Sequence, residues 1–249
     1  MENIDGKVAV VTGSSRGIGR ASAVALAGLG CDVAVTYRER RESAEEVVEQ
    51  IRSLGRKSFA YQVEAAESGR FTELRTEVER DLGHAAILIN NAGTILRPGE
   101  WNVQEPDEIR RTLAVDLESV IHGMRAFSRP MVESGWGRIV NITTTYSFNG
   151  AAPVLSYTAA KAGVNTVTRA MAAELGPRGV LVNAVAPGNI DTELTRSAGE
   201  DLVQWSIDTT PLGRLGTVEE VAEAVTFLVR TTFICGEIIA VDGGQLLKI

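Results

Sequence analysis

The stretch VVTGSSRGIGRA, residues 10–21, decides the fold, because an apolar strand, a glycine-rich turn and a helix follow one another without a gap. Gly13, Gly17 and Gly19 have the spacing G-x-x-x-G-x-G. Glycines at such a turn let the backbone reverse sharply and come close to a pyrophosphate group. The helix that follows from Ile18 offers unpaired N–H groups and the positive end of its dipole to an anion. The turn therefore predicts a dinucleotide site, with a tight turn that binds nothing as the alternative.

Short β-branched runs alternate with helical patterns along the rest of the chain. The predicted strands cover 8–12, 33–37, 58–63, 87–90, 138–143, 180–186 and 238–241. The predicted helices cover 20–29, 43–54, 70–82, 106–132, 157–175 and 217–229, and a capping box of Thr217 and Glu220 opens the last of them. Strands that are apolar on both faces and alternate with helices indicate a parallel sheet covered on both sides. We predict an α/β protein with a doubly wound Rossmann fold, in which a mostly seven-stranded parallel sheet carries helices on both faces, as one domain over 1–249. A (β/α)₈ barrel is the alternative, which the glycine-rich first turn disfavours.

The composition, with 44% hydrophobic and 23% charged residues, is that of an ordinary globular protein. A net charge of −7 without a long basic cluster disfavours nucleic-acid and anionic-membrane partners. Cys31 and Cys235 lie far apart in apolar contexts, which predicts buried free thiols in a reducing cytosol rather than a disulfide or a metal site. The N-terminus lacks the pattern of a signal peptide, and no apolar run reaches the roughly 18 residues of a membrane span. We therefore expect a cytoplasmic protein without a metal.

The second strand ends in TYRER, residues 36–40, and this end bears on the type of dinucleotide. An acidic residue at this position holds the ribose 2′-hydroxyl of NAD, whereas an arginine suits the 2′-phosphate of NADP. The position holds Arg38, and Arg16 lies in the glycine-rich turn. Because two guanidinium groups can bracket a phosphate, we predict NADP(H) as the preferred cofactor, with NAD(H) as the alternative. Arg38, Arg40 and Arg41 would otherwise form only a solvated start of a helix.

The stretch SYTAAKAG, residues 156–163, places a tyrosine and a lysine on one helical face. Tyr157 and Lys161 are separated by small residues only. Either this face packs closely against another element, or a ligand reaches the two polar groups.

Taken together, five motifs resemble those of the classical short-chain dehydrogenases/reductases, in that family's order. They are TGSSRGIG (12–19), NNAG (90–93), YTAAK (157–161), PGNIDT (187–192) and VDGG (241–244). The resemblance covers nearly the whole chain and implies hydride transfer between a nicotinamide and a carbonyl or an alcohol. Within the family, the segment PLGRLGTVEEVAEAVTFL (211–228) most resembles the subgroup of 3-oxoacyl-[acyl-carrier-protein] reductases.

The resemblance implies four catalytic residues. Tyr157 would donate or accept the proton, and Lys161 would favour the phenolate and hold the nicotinamide ribose. Thr144 stands where the family has a serine that polarises the substrate oxygen. Asp116 stands where the family has an asparagine that holds a relay water. A carboxylate cannot donate as an amide does, and near Lys161 it is expected to lower the fraction of phenolate.

The resemblance also implies the residues along the cofactor. Gln62 replaces the usual Asp or Asn at the adenine, and Ile190 would meet the carboxamide through its backbone. The full set is Gly13, Ser15, Arg16, Gly17, Ile18, Gly19, Arg38, Gln62, Val63, Asn90, Ala92, Gly93, Tyr157, Lys161, Pro187, Gly188, Ile190 and Thr192.

The substrate pocket is expected to come from variable segments, including one over about 193–212 that would cover the site. Its predicted lining is Tyr146, Phe148, Val154, Leu194 and Trp205, with Trp101 and Leu155 nearby. These residues suggest a small-molecule carbonyl or alcohol substrate of apolar character, unless they only pack the covering segment. The resemblance implies that this subgroup meets its acidic carrier protein through two arginines near the ends of the two long helices. Arg178 matches one of them, but the other position holds Gly135, which is not basic, so a carrier-protein substrate is less favoured. The family implies a homotetramer. A non-catalytic nucleotide-binding protein and a sugar or small-alcohol dehydrogenase remain the alternatives.

Overall fold

Seven parallel strands form one sheet in this computed structural model, which describes residues 1–94, 103–197 and 199–247. The strands are β1 Val8–Val11, β2 Asp32–Tyr37, β3 Ser58–Gln62, β4 Ala85–Asn90, β5 Gly137–Ile142, β6 Val180–Pro187 and β7 Ile238–Val241. Their order is β3-β2-β1-β4-β5-β6-β7, and every neighbouring pair is parallel. The predicted doubly wound fold is therefore confirmed, and the barrel is wrong because β3 and β7 are open edges.

Helices cover both faces of the sheet. They are α1 Gly17–Gly28, α2 Arg41–Ser53, α3 Arg70–Asp81, α4 Pro106–Leu113, α5 Ser119–Glu133, α6 Tyr146–Asn149, α7 Leu155–Leu175, α8 Glu193–Ser197, α9 Glu200–Asp208 and α10 Val218–Arg230. On one face, α1, α2 and α10 bury Leu26, Val47 and Leu228 against the strands. On the other face, α3, α5 and α7 contribute residues such as Phe127 to a second core. Two apolar layers thus stabilise the sheet from both sides, as strands without a polar face require.

Of two predicted features of the helices, the structure changes one and confirms the other. The predicted helix over 106–132 is divided into α4 and α5 by a π-helical turn, Ala114–Glu118. The predicted capping box at the start of α10 is confirmed, because the Thr217 hydroxyl accepts a bond from the backbone N–H of Glu220 at 3.2 Å. Within 193–212, the structure forms α8 and α9. That this segment covers a site, and that 1–249 is one domain, remain predictions.

The expected burial holds for only one of the two cysteines. Cys31 is buried, and burial raises the pKa of its thiol to about 12. Cys235 is free but exposed, which corrects the expectation of two buried thiols. The apolar sequence around Cys235 lies in the loop before β7, where the chain reaches the surface.

The position of β1 in the sheet indicates where the candidate site lies. β1 lies between β2 and β4, so the chain leaves in opposite directions on its two sides. A crevice opens at the carboxyl ends of strands at such a point. The Thr12 hydroxyl, which follows β1, accepts bonds from the backbone N–H groups of Asn91 and Ala92 at 2.9 and 3.0 Å. This hydroxyl therefore ties the glycine-rich turn to the NNAG segment across the crevice.

Candidate active site and dinucleotide cleft

The glycine-rich turn has the geometry that a pyrophosphate group needs. Gly13 and Gly17 adopt φ angles of +63° and +56°, which residues with a Cβ rarely adopt. A Cβ on Gly13 would lie 2.9 Å from the Ala92 Cα, so the turn and the NNAG segment touch. A Cβ on Gly17 would meet no atom within 4 Å, because it would point into open space. The start of α1 is thus bare backbone facing an open cleft, which fits a dinucleotide phosphate.

One cleft of about 630 Å³ runs from this turn to the tyrosine and lysine of α7. A volume of this size is typical of a small-molecule or cofactor site. The predicted residues that line it are Gly13, Ser15, Arg16, Gly17, Ile18, Arg38, Val63, Ala92, Gly93, Asp116, Thr144, Tyr157, Lys161, Pro187, Gly188, Ile190 and Thr192. Four of the five motifs therefore meet in a single cavity, although they lie up to about 180 residues apart, whereas VDGG (241–244) does not line it.

Three predicted cofactor residues do not line the cleft. Gly19 packs instead against the turn, where a Cβ would lie 2.5 Å from the Asn91 side-chain nitrogen. Gln62 donates a bond from its side chain to the Arg38 carbonyl at 2.9 Å. Asn90 is buried and donates to the Asn141 side chain at 2.8 Å.

The neighbour of Asn90 faces the cleft in its place. The Asn91 amide donates to the carbonyls of Thr12 and Gly13 at 2.8 and 3.0 Å, and Asn91 lines the cavity. Because successive residues of a strand point to opposite sides, Asn90 and Asn91 cannot share one role. The alternation of side chains along a strand was the feature of the sequence that could have assigned the cleft to Asn91 and the interior to Asn90.

Three arginines and two glutamates line the end of the cleft beside the turn. Arg38 pairs with Glu39 at 2.8 Å. Arg16 and Arg40 both donate to the same oxygen of Glu193, Oε2, at 2.9 Å each. These two hydrogen bonds hold the pKa of Glu193 below its usual range. The sequence reasoning missed the contribution of Arg40 and Glu193, because 153 residues separate the partners and no motif joins them.

The other end of the cleft brings the predicted catalytic residues together. The Lys161 ammonium lies 5.8 Å from the centre of the Tyr157 ring and donates to the Ile142 carbonyl at 3.0 Å. It also lies 3.4 Å from Oδ1 of Asp116. The Thr144 side chain lines the same cavity beside Tyr157 and acts to lower the pKa of its phenol. A phenol, a hydroxyl and a paired ammonium therefore surround one point of the cavity.

Asp116 occupies the π-helical turn between α4 and α5. Its carboxylate is fully buried and accepts bonds from the backbone N–H of Thr94, at 3.1 Å, and from the Thr94 hydroxyl. A Cβ on Gly93 would lie 2.9 Å from the Asp116 carboxylate, so glycine is required beside it. Short π-helical turns inside α-helices frequently mark functional sites, because the extra residue changes where a side chain points. The contact between Thr94 and Asp116 was not predicted, since no sequence pattern connects the two residues.

The protein's own groups raise the pKa of Tyr157 above its ordinary value. The largest cause is burial of the phenol, and the second is the negative charge of Asp116. The interaction with Thr144 acts in the opposite direction but is weaker. Lys161 was expected to favour the phenolate and Asp116 to oppose it, and Asp116 is the ion-pair partner of Lys161. The protein groups therefore hold Tyr157 as the neutral phenol, which is the proton-donating form.

Those predicted substrate residues whose side chains the structure describes lie outside the cavity lining. Tyr146 is half-buried and hydrogen-bonded to Gln245, and Val154 is also half-buried. Phe148, Leu155 and Trp205 expose about half of their surface. The side chain of Leu194 and all of Trp101 lie outside the described residues.

Within the described ranges, His, Cys, Asp and Glu side chains form no group that could hold a metal ion. In the same part of the chain, every helix is too short or too polar to cross a bilayer.

Fold and cleft together define a dinucleotide-binding oxidoreductase, and comparison with known proteins specifies the family. The sequence model described as enoyl-(acyl carrier protein) reductase matches residues 13–245. A 3-oxoacyl-[acyl-carrier-protein] reductase, FabG, of Pseudomonas aeruginosa is 36% identical over 99% of this chain and 100% of its own length. The chain therefore belongs to the short-chain dehydrogenase/reductase family and is an NAD(P)-dependent oxidoreductase.

Solved structures give the same family. A short-chain dehydrogenase of Burkholderia cenocepacia, in complex with NADP, has a TM-score of 0.91 and 34% identity, and the match covers 98% of this chain and 100% of the other. A 7α-hydroxysteroid dehydrogenase, in complex with NADH and 7-oxo glycochenodeoxycholic acid, has a TM-score of 0.92 and 31% identity over 97% of this chain and 95% of the other. The predicted class of cofactor, a nicotinamide dinucleotide with or without the 2′-phosphate, is thus confirmed for similar proteins.

Proposed function

We propose that this protein reduces a ketone to a secondary alcohol with NADPH, or runs the reverse reaction, with Tyr157 as the group that gives or takes the proton. One observation carries the proposal. Tyr157, Thr144 and Lys161 meet at one end of a cleft whose other end is lined by Arg16, Arg38 and Arg40. Bound NADPH would supply a hydride to the carbonyl carbon at the first end.

In reduction, the Tyr157 hydroxyl gives its proton to the carbonyl oxygen. The Thr144 hydroxyl lines the cavity beside that phenol and donates to the same oxygen, so it polarises the carbonyl. The raised pKa of Tyr157 supports the reducing direction, because the phenol stays protonated at neutral pH. Oxidation needs the phenolate, which Lys161 and a positively charged nicotinamide favour.

Lys161 has two tasks in this proposal. Its ammonium holds the nicotinamide ribose and orients it towards Tyr157. Asp116 and the Ile142 carbonyl fix the position of the ammonium from behind. Asp116 thereby replaces the usual amide with a charge that anchors Lys161, and the Ile142 carbonyl offers an acceptor for a proton relay.

The arginines support NADP(H) over NAD(H). Arg16, Arg38 and Arg40 line the same end of the cleft, and planar guanidinium groups bind phosphate with paired donors. The NADP in the Burkholderia cenocepacia structure agrees with this preference. The NADH in the 7α-hydroxysteroid dehydrogenase keeps NAD(H) as the alternative.

For the substrate, a 3-oxoacyl thioester and a smaller ketone or sugar compete. The FabG relative supports a thioester. Docking of an acidic carrier protein has weak support, because Arg178 is paired with Glu174 at 2.8 Å and its neighbour Gly179 lies against the non-basic Gly135. We therefore favour a ketone that enters without a carrier protein. The homotetramer and the cytoplasmic location stay predictions.

A weakly active member of the family that mainly binds the nucleotide is the second candidate. Asp116 favours it, because a carboxylate cannot donate the hydrogen bond that an amide gives. The meeting of Tyr157, Thr144 and Lys161 opposes it.

The test measures oxidation of NADPH and of NADH at the nicotinamide absorbance band with a panel of ketones. The panel contains free 3-oxoacyl thioesters, carrier-bound 3-oxoacyl thioesters, sugars and steroid ketones. We expect turnover of at least one free ketone or thioester, with a higher kcat/KM for NADPH. Tight NADPH binding without turnover of any compound would favour the second candidate.

A further inference from the structure

Glu193 engages the arginines that the proposed function assigns to the cofactor phosphate. Its Oε2 accepts one hydrogen bond from Arg16 and one from Arg40, each at 2.9 Å. All three residues line the cleft. The exposed fraction of the side chain is 37% for Arg16, 51% for Arg40 and 62% for Glu193. A single carboxylate oxygen therefore lies between two guanidinium groups in the open part of the cavity.

From this geometry we infer that Glu193 is an internal competitor of the cofactor's 2′-phosphate and thereby sets the preference between NADPH and NADH. The carboxylate occupies the donors of Arg16 and Arg40, and the phosphate takes those donors when the cofactor binds. The inference rests on the proposed function, because it concerns the same cofactor site.

Charge decides which of the two anions holds the arginines. Glu193 is ionised at neutral pH, because the two arginines lower its pKa, and it carries one negative charge. A phosphate monoester carries about 1.5 to 2 negative charges and three acceptor oxygens. It therefore displaces the carboxylate, but only after the existing ion pairs are broken. Each of these exposed ion pairs is weak because solvent screens it, so the competition reduces affinity without preventing binding.

The positions of the three residues in the fold also favour displacement of the Glu193 carboxylate by the phosphate. Glu193 is the first residue of α8, a helix of five residues, whereas Arg16 and Arg40 precede α1 and α2, which pack in the core. The arginines thus belong to the rigid wall of the cleft, and the glutamate belongs to a short element at its rim. When a ligand separates them, Glu193 is the partner that moves.

An unphosphorylated dinucleotide does not need the same donors. NADH lacks the 2′-phosphate, so its binding leaves the contacts of Glu193 with Arg16 and Arg40 in place. The competitor therefore lowers the affinity for NADPH selectively, and its removal should widen the preference for NADPH.

The experiment measures dissociation constants of the full-length protein by calorimetry for NADPH, NADH and adenosine 2′-monophosphate. Glu193→Gln keeps the shape of the side chain and removes its charge. We expect it to tighten NADPH and adenosine 2′-monophosphate roughly three- to tenfold, and NADH by less than about twofold. Glu223→Gln is the matched control, because it removes one exposed charge on α10 far from the cleft lining and should change none of the three constants.

A double-mutant cycle then tests the pairing itself. In an Arg40→Gln background, the gain from Glu193→Gln should shrink for NADPH, because one of the two contested arginines is gone. Equal or weaker NADPH binding by Glu193→Gln would overturn the inference; weaker binding of both dinucleotides would mean that Glu193 closes over the cofactor instead. If the unmodified protein binds neither NADPH nor adenosine 2′-monophosphate, the proposed function fails first, and the inference fails with it.

Discussion

The two ends of the cleft use the same interaction, an ion pair, in opposite surroundings. At the catalytic end, Lys161 and Asp116 are both buried and lie 3.4 Å apart. At the phosphate end, Arg16, Arg40 and Glu193 are exposed to solvent. Buried charges interact strongly and set the acidity of their neighbours, whereas exposed charges are screened and exchange partners readily. The comparison indicates that the catalytic end is built to hold a protonation state and the phosphate end to exchange anions.

The largest expected effect is at the phenol. Tyr157→Phe removes the proton donor but keeps the ring, so kcat should fall by about 10²- to 10⁴-fold, and the dissociation constant for NADPH should change little. Steady-state kinetics and calorimetry measure the two quantities. Tyr61→Phe is the control, because that hydroxyl lies outside the cavity lining and donates to Asp81 at 3.1 Å. Full activity of Tyr157→Phe would refute the catalytic assignment.

The next prediction compares the two ends by stability. Lys161→Met leaves the carboxylate of Asp116 buried without its cation, and the free energy of unfolding should drop by about 3 kcal/mol. Arg16→Met removes a cation from an exposed pair and should cost less than about 1 kcal/mol. Urea unfolding of both variants without cofactor gives the two values. Equal losses would contradict the contrast between the two ends.

A third prediction concerns selectivity at the phosphate end. Arg38→Asp removes a charge-assisted contact to the 2′-phosphate and adds a repulsive charge. The ratio of kcat/KM for NADPH to that for NADH should fall roughly ten- to hundredfold, since such contacts contribute about 1.5–3 kcal/mol. Arg41→Asp, which lies outside the cleft lining, is the matched control. An unchanged ratio in Arg38→Asp would remove the argument for the 2′-phosphate.

The smallest predicted effect is a shift in pH dependence at the buried end. The charge of Asp116 helps to raise the pKa of Tyr157, so Asp116→Asn should lower that pKa. Alcohol oxidation requires the phenolate; its pH profile should move to lower pH, and its rate well below the midpoint should rise roughly tenfold. Ketone reduction requires the phenol, so its profile moves in the same direction and activity is lost at lower pH.

Glu118→Gln provides the control for this pH shift. It removes an exposed charge from the same π-helical turn and should leave both profiles in place. A profile of Asp116→Asn that stays fixed or moves to higher pH would show that Asp116 does not act on the phenol.

The sequence predicted the parts of the molecule that depend on local pattern. The strand, turn and helix of residues 10–21 follow from residue types alone, because glycine spacing and β-branched runs act over a few residues. Tyr157 and Lys161 share a helical face because the spacing of four requires it. Their arrival in one cleft with the turn follows from the parallel sheet, in which the carboxyl ends of the strands meet.

The sequence could not predict features that depend on contacts between distant segments. The pairing of Glu193 with Arg16 and Arg40 joins three segments that are distant in the sequence, and no spacing encodes it. The sequence indicated that Asp116 would disfavour the phenolate, but the largest cause of the raised pKa of Tyr157 is burial, which depends on the packed fold. The π-helical turn that carries Asp116 has the composition of an ordinary helix. Each of these features depends on tertiary packing, which the local sequence does not determine.

A crystal structure of the protein with NADP⁺ and the alcohol product tests the central claim most directly. The account predicts that the Tyr157 and Thr144 hydroxyls both lie within about 2.6–3.2 Å of the alcohol oxygen. It also predicts the Lys161 ammonium on the nicotinamide ribose, with Asp116 still behind it. An alcohol oxygen held by neither hydroxyl, or a nicotinamide bound away from Tyr157, would contradict the account.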